Sequence, residues 1–430
     1  MKKTFSIVLP FLLFVVLISC KTEDSVFEQT SNERVNASVE KYQKQLIEAE
    51  YGWKGAIYPG TGGVYSFYFK FNDQNRVVMY SDFNKEAAVT SKESSYLVKS
   101  LQSPSLIFDT YSYLHLLADP EGIVNGGVYG EGLKSDFEFS FGSDTLNNGT
   151  LTLTGTKNRT RLVLNKASQE EAVAYGNGGL AKSLLFSNID LYPIYFKRVT
   201  IGGVTYEINV NTAARTITLS WLEGTTSKSF TTEYYHSSTG VAFITPFVNG
   251  LLTLNSLTNL TWDASKLSLG FTAGTANVTV VGAAKPLIVD IAAPKRFRQF
   301  VIDKGSYWIS ETGFNVGGKE DYFGITKIPD FYYMLFFPDI ASSQGTTYDA
   351  FTAYDQTNLM GPAVVPSYTS DGRIIFSILG TYGTNTLMNT TVADQIEDAS
   401  GYYLVQTSPI RYDMVSAKDA KTWISWWYPF

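Results

Sequence analysis

The side chains able to do acid–base or metal chemistry are few. Two histidines, His115 and His236, stand in 430 residues, and neither falls in H-E-x-x-H or another metal-ligand spacing. A zinc hydrolase or a Ser-His-Asp enzyme would have to assemble around one of them, and a histidine packed within a strand or loop is the plainer reading. No G-x-S-x-G elbow, phosphate-cradling glycine loop or dinucleotide fingerprint occurs, and the glycine pairs at 62–63, 126–127, 202–203 and 317–318 read as turns. Carboxylates number 40, so a glycoside hydrolase stays open as an alternative, because its acid pair is defined by a separation in space. Glu131, Asp136, Glu320 and Asp321 are ordinary candidates for such a pair. Asp119-Pro-Glu-Gly122 is polar but lacks the ligand pattern of a calcium loop. The expectation is a non-enzyme, with no catalytic residue, no metal site and no cofactor.

Aromatic residues offer a different chemistry. The chain ends Thr422-Trp-Ile-Ser-Trp-Trp-Tyr-Pro-Phe430, and as a strand this puts Trp423, Ser425 and Trp427 on one face and Ile424, Trp426 and Tyr428 on the other. Either the strand is buried between two layers, or one face is an exposed platform able to stack on a sugar ring or another flat ligand. Trp308, Trp423, Trp426, Trp427 and Tyr428 are therefore the ligand-binding candidates, with core packing as the plainer alternative. The same choice applies to the run from Phe331 to Phe337.

Cys20 is the only cysteine, so no disulfide or zinc-thiolate site can form. Lys2 and Lys3 precede an apolar run from Phe5 to Ser19, shorter than the ~20 residues of a membrane span, in the order of a secretory signal peptide. Leu17-Ile-Ser-Cys20 resembles a bacterial lipobox, which implies cleavage before Cys20 and lipidation of its sulfur. Glu23 and Asp24 resemble the acidic surface-export signal of Bacteroidota lipoproteins; an ordinary solvated linker is the alternative. Loss of Lys2 and Lys3 takes the net charge from -6 to -8, which disfavours nucleic acid as a partner.

The elements that must position these residues are mainly strands. Val35, Val39, Tyr42 and Leu46 share one helix face, with Thr30 and Glu33 as a capping box and an end near Gly52. Tyr65, Phe67, Phe69 and Phe71 make an alternating apolar face, and residues 76–80 return after the turn 72–75. Residues 204–210 and 215–221 repeat that hairpin, and a shift of 139 residues lays Asn72 on Asn211 and Arg76 on Arg215. Ser168 with Glu171 offers a second capping box at a boundary. The expected division is a signal peptide (1–19), a lipid-anchored linker (20–33), a helix plus β-meander domain (34–166), a second β domain possibly repeating the first (167–293) and a third aromatic-rich, mainly β unit (294–430). The expected fold class is mainly β (α+β), with antiparallel meanders forming barrel- or sandwich-like units.

The lipobox, the helix from Arg34 to Tyr42, Gly52-Trp-Lys-Gly55 with residues 65–71, and Gly149-Thr-Leu-Thr-Leu-Thr-Gly-Thr-Lys157 together resemble the Bacteroidota lipoproteins grouped as domain of unknown function 4302. The resemblance runs from Cys20 to the middle of the second unit. It implies an accessory lipoprotein of a starch-utilisation-type outer-membrane importer, working beside a TonB-dependent transporter and its lipoprotein lid. It carries over no catalytic or binding residue. The resulting expectation is an outer-membrane protein held by acyl chains on Cys20, facing the cell surface rather than the periplasm, that captures or presents a glycan or peptide ligand. A scaffold that binds only partner proteins of the importer is the alternative.

Overall fold

A computed structural model describes residues 31–429, apart from 102, 148 and 344. The signal run, Cys20, Glu23, Asp24 and Thr30 lie outside the described residues. Strands dominate, all pairings are antiparallel, and the strands fall into three consecutive sheets within residues 53–166, 196–283 and 308–427.

The first sheet closes on itself. Alternating burial along Trp53–Tyr58 turns Trp53 and Ile57 inward, Phe67, Phe69 and Phe71 of Tyr65–Phe71 join them in the core, and the barrel shuts where Trp53–Tyr58 pairs with Arg161–Lys166. Closure leaves no free strand edge. The helix Ser31–Ile47 brings Tyr42 and Leu46 onto the barrel core, with Tyr42 stacked on Phe141 at 4.1 Å. It ends at Ile47, and the chain turns through Gly52, whose φ of 76° places a would-be Cβ 2.6 Å from the Phe69 carbonyl. Trp53 Nε1 donates to the Leu46 carbonyl at 2.9 Å, tying the first strand to the helix end.

The third sheet repeats this plan. Helix Ala293–Asp303 precedes Trp308–Ser310, and Trp308 Nε1 donates to the Phe297 carbonyl at 2.8 Å. The last strand, Thr422–Trp427, pairs with Arg411–Ser416 on one side; Trp308–Ser310 and Phe314–Val316 share its other side, which closes the ring. In the middle sheet the short strands Ala276–Thr279 and Val281–Ala283 flank the buried Val280. The first pairs with Ser268–Ala273 and the second with Phe196–Ile201, so one bent segment closes this barrel too. Because each Trp fills a core and anchors a helix through one hydrogen bond, Trp53→Phe should lose about 1–3 kcal/mol of stability. Denaturant unfolding checks this, and a loss under a few tenths of a kcal/mol would mean the indole bond holds nothing.

The two hairpins align in a register other than the constant 139-residue shift. Asn75 and Arg215 both have positive φ (58° and 53°), and their carbonyls accept from the backbone N–H of the buried Tyr96 and Tyr234 at 3.0 and 2.9 Å. Arg215 therefore matches Asn75, not Arg76. The turn after Asn211 is one residue longer than the turn after Asn72, and this shifts a constant 139-residue alignment.

Buried contacts join neighbouring barrels. Between the first and second, Arg215 reaches Asp82 at 2.5 Å and the Val64 carbonyl at 2.8 Å, while its guanidinium lies 3.8 Å from the Tyr65 ring centre. The Ser168–Glu171 capping box forms, starting a helix whose Tyr175 stacks on Tyr68. Between the second and third, Tyr195 Oη donates to Asp413 at 2.6 Å and its ring meets Trp423 at 5.7 Å.

Candidate functional site

Both histidines are held by their surroundings. His115 is buried, its ring stacked between Tyr111 and Phe137, with Nδ1 near Ser112 and Nε2 near the Phe108 carbonyl. His236 Nδ1 lies 3.0 Å from the Ser183 carbonyl and 2.9 Å from Ser183 Oγ. A carbonyl only accepts, so Nδ1 carries the proton and cannot take one from Ser183. Asp82 meets the backbone N–H of His236 and not its ring, so these three residues do not form a charge-relay arrangement.

The four carboxylates named above do not converge. Asp136 is buried and accepts from the backbone N–H of Lys157, Asn158 and Thr160, which fixes a turn. Glu131 pairs with Lys134, both in the first barrel. Asp321 caps the turn at Ile325 and Thr326 in the third, beside the exposed Glu320. Among the described residues no group of three His, Cys, Asp or Glu side chains is placed to hold a metal ion.

The tryptophan platform is corrected by the geometry. Trp308 is 0% exposed and Trp426 is 1% exposed, both in the third core, so neither can stack on a ligand. Trp423 is half-buried at the junction with Tyr195, and Tyr428 packs edge-on against Phe300 at 5.3 Å. Trp427 is half-buried beside Ile309. Alternation split the tail correctly into two faces; one entered the core and the other met neighbouring elements.

A different aromatic surface is exposed. Strand Tyr333–Ala341 turns Met334 and Phe336 inward, which leaves Tyr333 and Phe337 outward. Tyr333 pairs directly with Tyr354 of the next strand, their rings 5.4 Å apart, and Tyr332 packs 4.9 Å from Tyr333. Tyr307, just before Trp308, stacks 6.2 Å from Tyr333 and meets Phe337 edge-on at 6.0 Å. Five rings thus form one patch, with Tyr332 57% and Phe337 38% exposed. Burial, then the hydrogen bond with Tyr307, pushes the Tyr333 phenol well above its ordinary value, so it is neutral at physiological pH.

Next to the patch is an open cleft of about 650 Å³ lined by Thr357, Asn358, Leu359, Tyr382, Thr384 and Asn385. Tyr354 Oη donates to the Gln356 carbonyl at 2.8 Å, so the loop bounding the cleft is tied to the patch. The arrangement offers flat apolar faces beside hydroxyl and amide groups, which suits binding rather than proton transfer.

A family model described as Domain of unknown function (DUF4302) matches residues 23–264, more than half of the chain. The chain belongs to the DUF4302 family. No curated protein matches it. Among solved structures, the DNA polymerase III β chain of Streptococcus pneumoniae TIGR4 is 9% identical, over 93% of this chain and 98% of that one, with a TM-score of 0.13. The β subunit from Thermotoga maritima is 8% identical, over 92% and 98%, with a TM-score of 0.13. At that score the likeness carries no argument. The DUF4302 match covers the first barrel and most of the second, so the tyrosine patch and its cleft lie beyond it.

Proposed function

We propose that this DUF4302 protein is an outer-membrane, surface-exposed lipoprotein that captures or presents a nutrient ligand to a TonB-dependent importer without transforming it. The single observation behind ligand capture is the five-ring patch, with Tyr332 and Phe337 exposed and the other three rings half-buried, beside a polar cleft. Exposed rings give a large contact area for little lost side-chain entropy. The signal run and Cys20 support anchoring, and acylation at more than one position gives stable membrane residence.

The test uses intact cells carrying the protein or its Cys20→Ala variant. Expected results are membrane retention and accessibility to external protease for the first, and loss from the membrane fraction for the second. Pull-down of the tethered protein should recover glycan or peptide together with the importer. A Cys20→Ala protein that stays in the membrane fraction would refute anchoring, and recovery of partner proteins without ligand would refute capture.

A scaffold role is favoured by a separate feature. Ile123 is 96% exposed and Tyr129 78% exposed, on a loop whose backbone is fixed by Asn125, which donates to the Leu116 and Asp119 carbonyls at 2.9 and 2.8 Å. A rigid loop that turns apolar side chains to solvent fits contact with another protein. In the same pull-down, Ile123→Ser would then reduce partner recovery without changing ligand recovery.

A further inference from the structure

The strand register joins the tyrosine patch to the cleft. Tyr333 pairs with Tyr354, and Tyr354 pairs with Leu359, so three neighbouring strands place these residues in one row on the outer face. Gly361 pairs with Tyr382, which carries the row from Leu359 on to Thr384. Leu359, Tyr382 and Thr384 line the cleft. Patch and cleft are therefore successive parts of one lane across the third barrel.

The lane has no cation to recognise an anion. None of its five rings is charged, and the cleft is lined by hydroxyl, amide, thioether and aliphatic groups. Formal charges near the lane in sequence include both signs, with exposed Lys304 three residues before Tyr307 and acidic groups beside Tyr332 and Tyr354. Asp355 is engaged by the N–H groups of Thr357 and Asn358, which lowers its pKa, and Asp330 is exposed two residues before Tyr332. Acidic polysaccharide and nucleic acid would find no cation within the lane to pair with. A peptide captured as an added strand needs a free edge, and the strand carrying Tyr354 is paired on both sides, as is Met334–Phe336 next to Tyr333. An uncharged chain of pyranose rings meets neither obstacle. Its apolar ring faces suit the tyrosines, and its hydroxyls suit Asn358, Thr384 and Asn385. Asn385 Oδ1 accepts from the Met388 N–H at 3.1 Å, and its Nδ2 has no partner among the described residues.

We propose that the lane from Tyr333 through Tyr354 and Leu359 to the Asn385 cleft binds an uncharged polysaccharide chain. This rests on the capture reading above and names its ligand class.

The test measures binding of the full mature chain by affinity electrophoresis and calorimetry. The probes are neutral polysaccharides (amylopectin, xylan, galactomannan, laminarin), anionic ones (polygalacturonate, heparin) and a peptide digest of casein. At least one neutral polysaccharide should bind, and Tyr333→Ala and Tyr354→Ala should each weaken it roughly two- to tenfold. Tyr354→Phe keeps the ring but removes the Oη bond to the Gln356 carbonyl, so it should bind more tightly than Tyr354→Ala, and unfolding midpoints of the alanine variants that match the parent separate lost stacking from misfolding. Asn385→Ala should weaken long chains and leave a disaccharide unchanged. If anionic polysaccharide or peptide binds through these tyrosines and neutral chains do not, capture stands and the ligand class falls. If no probe binds, capture falls with it. Neutral binding that neither tyrosine variant alters would overturn the lane.

Discussion

Arg215→Ala should lower the stability of the chain by about 3–5 kcal/mol, the largest effect expected of any single substitution here. Asp82 is 0% exposed and accepts from Arg215 Nη1 at 2.5 Å, Ser66 N at 3.0 Å and His236 N at 3.2 Å. Burial pushes its carboxyl above the usual range, while the guanidinium and the two N–H groups pull it back. Removing the arginine keeps the burial penalty and takes away the largest opposing contribution. It also frees the Val64 and Asp82 carbonyls from Nη1 and Nη2 and leaves the Tyr65 ring without its cation. Since these partners belong to the first barrel and Arg215 to the second, the loss should uncouple the two. Denaturant unfolding should change from one transition to two, with the m-value of each smaller than that of the parent. The paired change Asp82→Asn with Arg215→Met removes both charges and should cost less than Arg215→Ala alone. A single variant within about 1 kcal/mol of the parent would show that the ion pair does not hold the barrels together.

What could be read from the chain divides along the range of the interactions involved. The hairpins at Tyr65–Phe71 and Val204–Asn211 were legible, because alternation is set between adjacent residues and the turn residues Asn72 and Asn211 lie within five positions of their hydrogen-bond donors. Barrel closure was not legible. It depends on Trp53 meeting Lys166 and Ile309 meeting Trp427, over 100 residues apart, and no local pattern records such a pairing. The tail shows what composition leaves open: tryptophan density at 423–428 allowed a platform or a core, and a closed barrel needs bulk inside, which Trp426 and Trp308 supply. The patch lay inside the same open choice, since residues 331–337 read as core or platform with core the plainer. Its available signal was the alternation of tyrosine with phenylalanine. Phe336 and Phe351 turn inward, and Tyr333 and Tyr354 turn outward with their hydroxyls bonded to Tyr307 and to the Gln356 carbonyl. The Arg215–Asp82 pair left no sequence trace at all, because its partners are brought together by the packing of two barrels.

Acid should destabilise the same junction through His236. Its imidazole is buried, and desolvation, with Arg215 nearby, lowers its pKa from 6.5 to about 3. The unfolded chain therefore binds a proton below pH 6.5 that the folded chain refuses, so stability present above pH 6.5 is lost as the pH falls toward 3. By pH 4 the loss from this group is about 3 kcal/mol. The groups facing it are Asp82, Arg215, Ser183 and Tyr234. Asp82 opposes the effect: its pKa is raised in the fold, so the folded state takes up a proton more readily and gains stability as the pH drops. Arg215 stays charged throughout and repels an imidazolium at every pH. Unfolding should be followed between pH 7 and pH 4 for the parent and for His236→Asn, whose amide can donate to the Ser183 carbonyl but cannot titrate. The parent should lose stability across this window, and the variant should lose about 3 kcal/mol less, which exposes the opposite slope of Asp82. Equal losses in both proteins would place the acid sensitivity outside the junction.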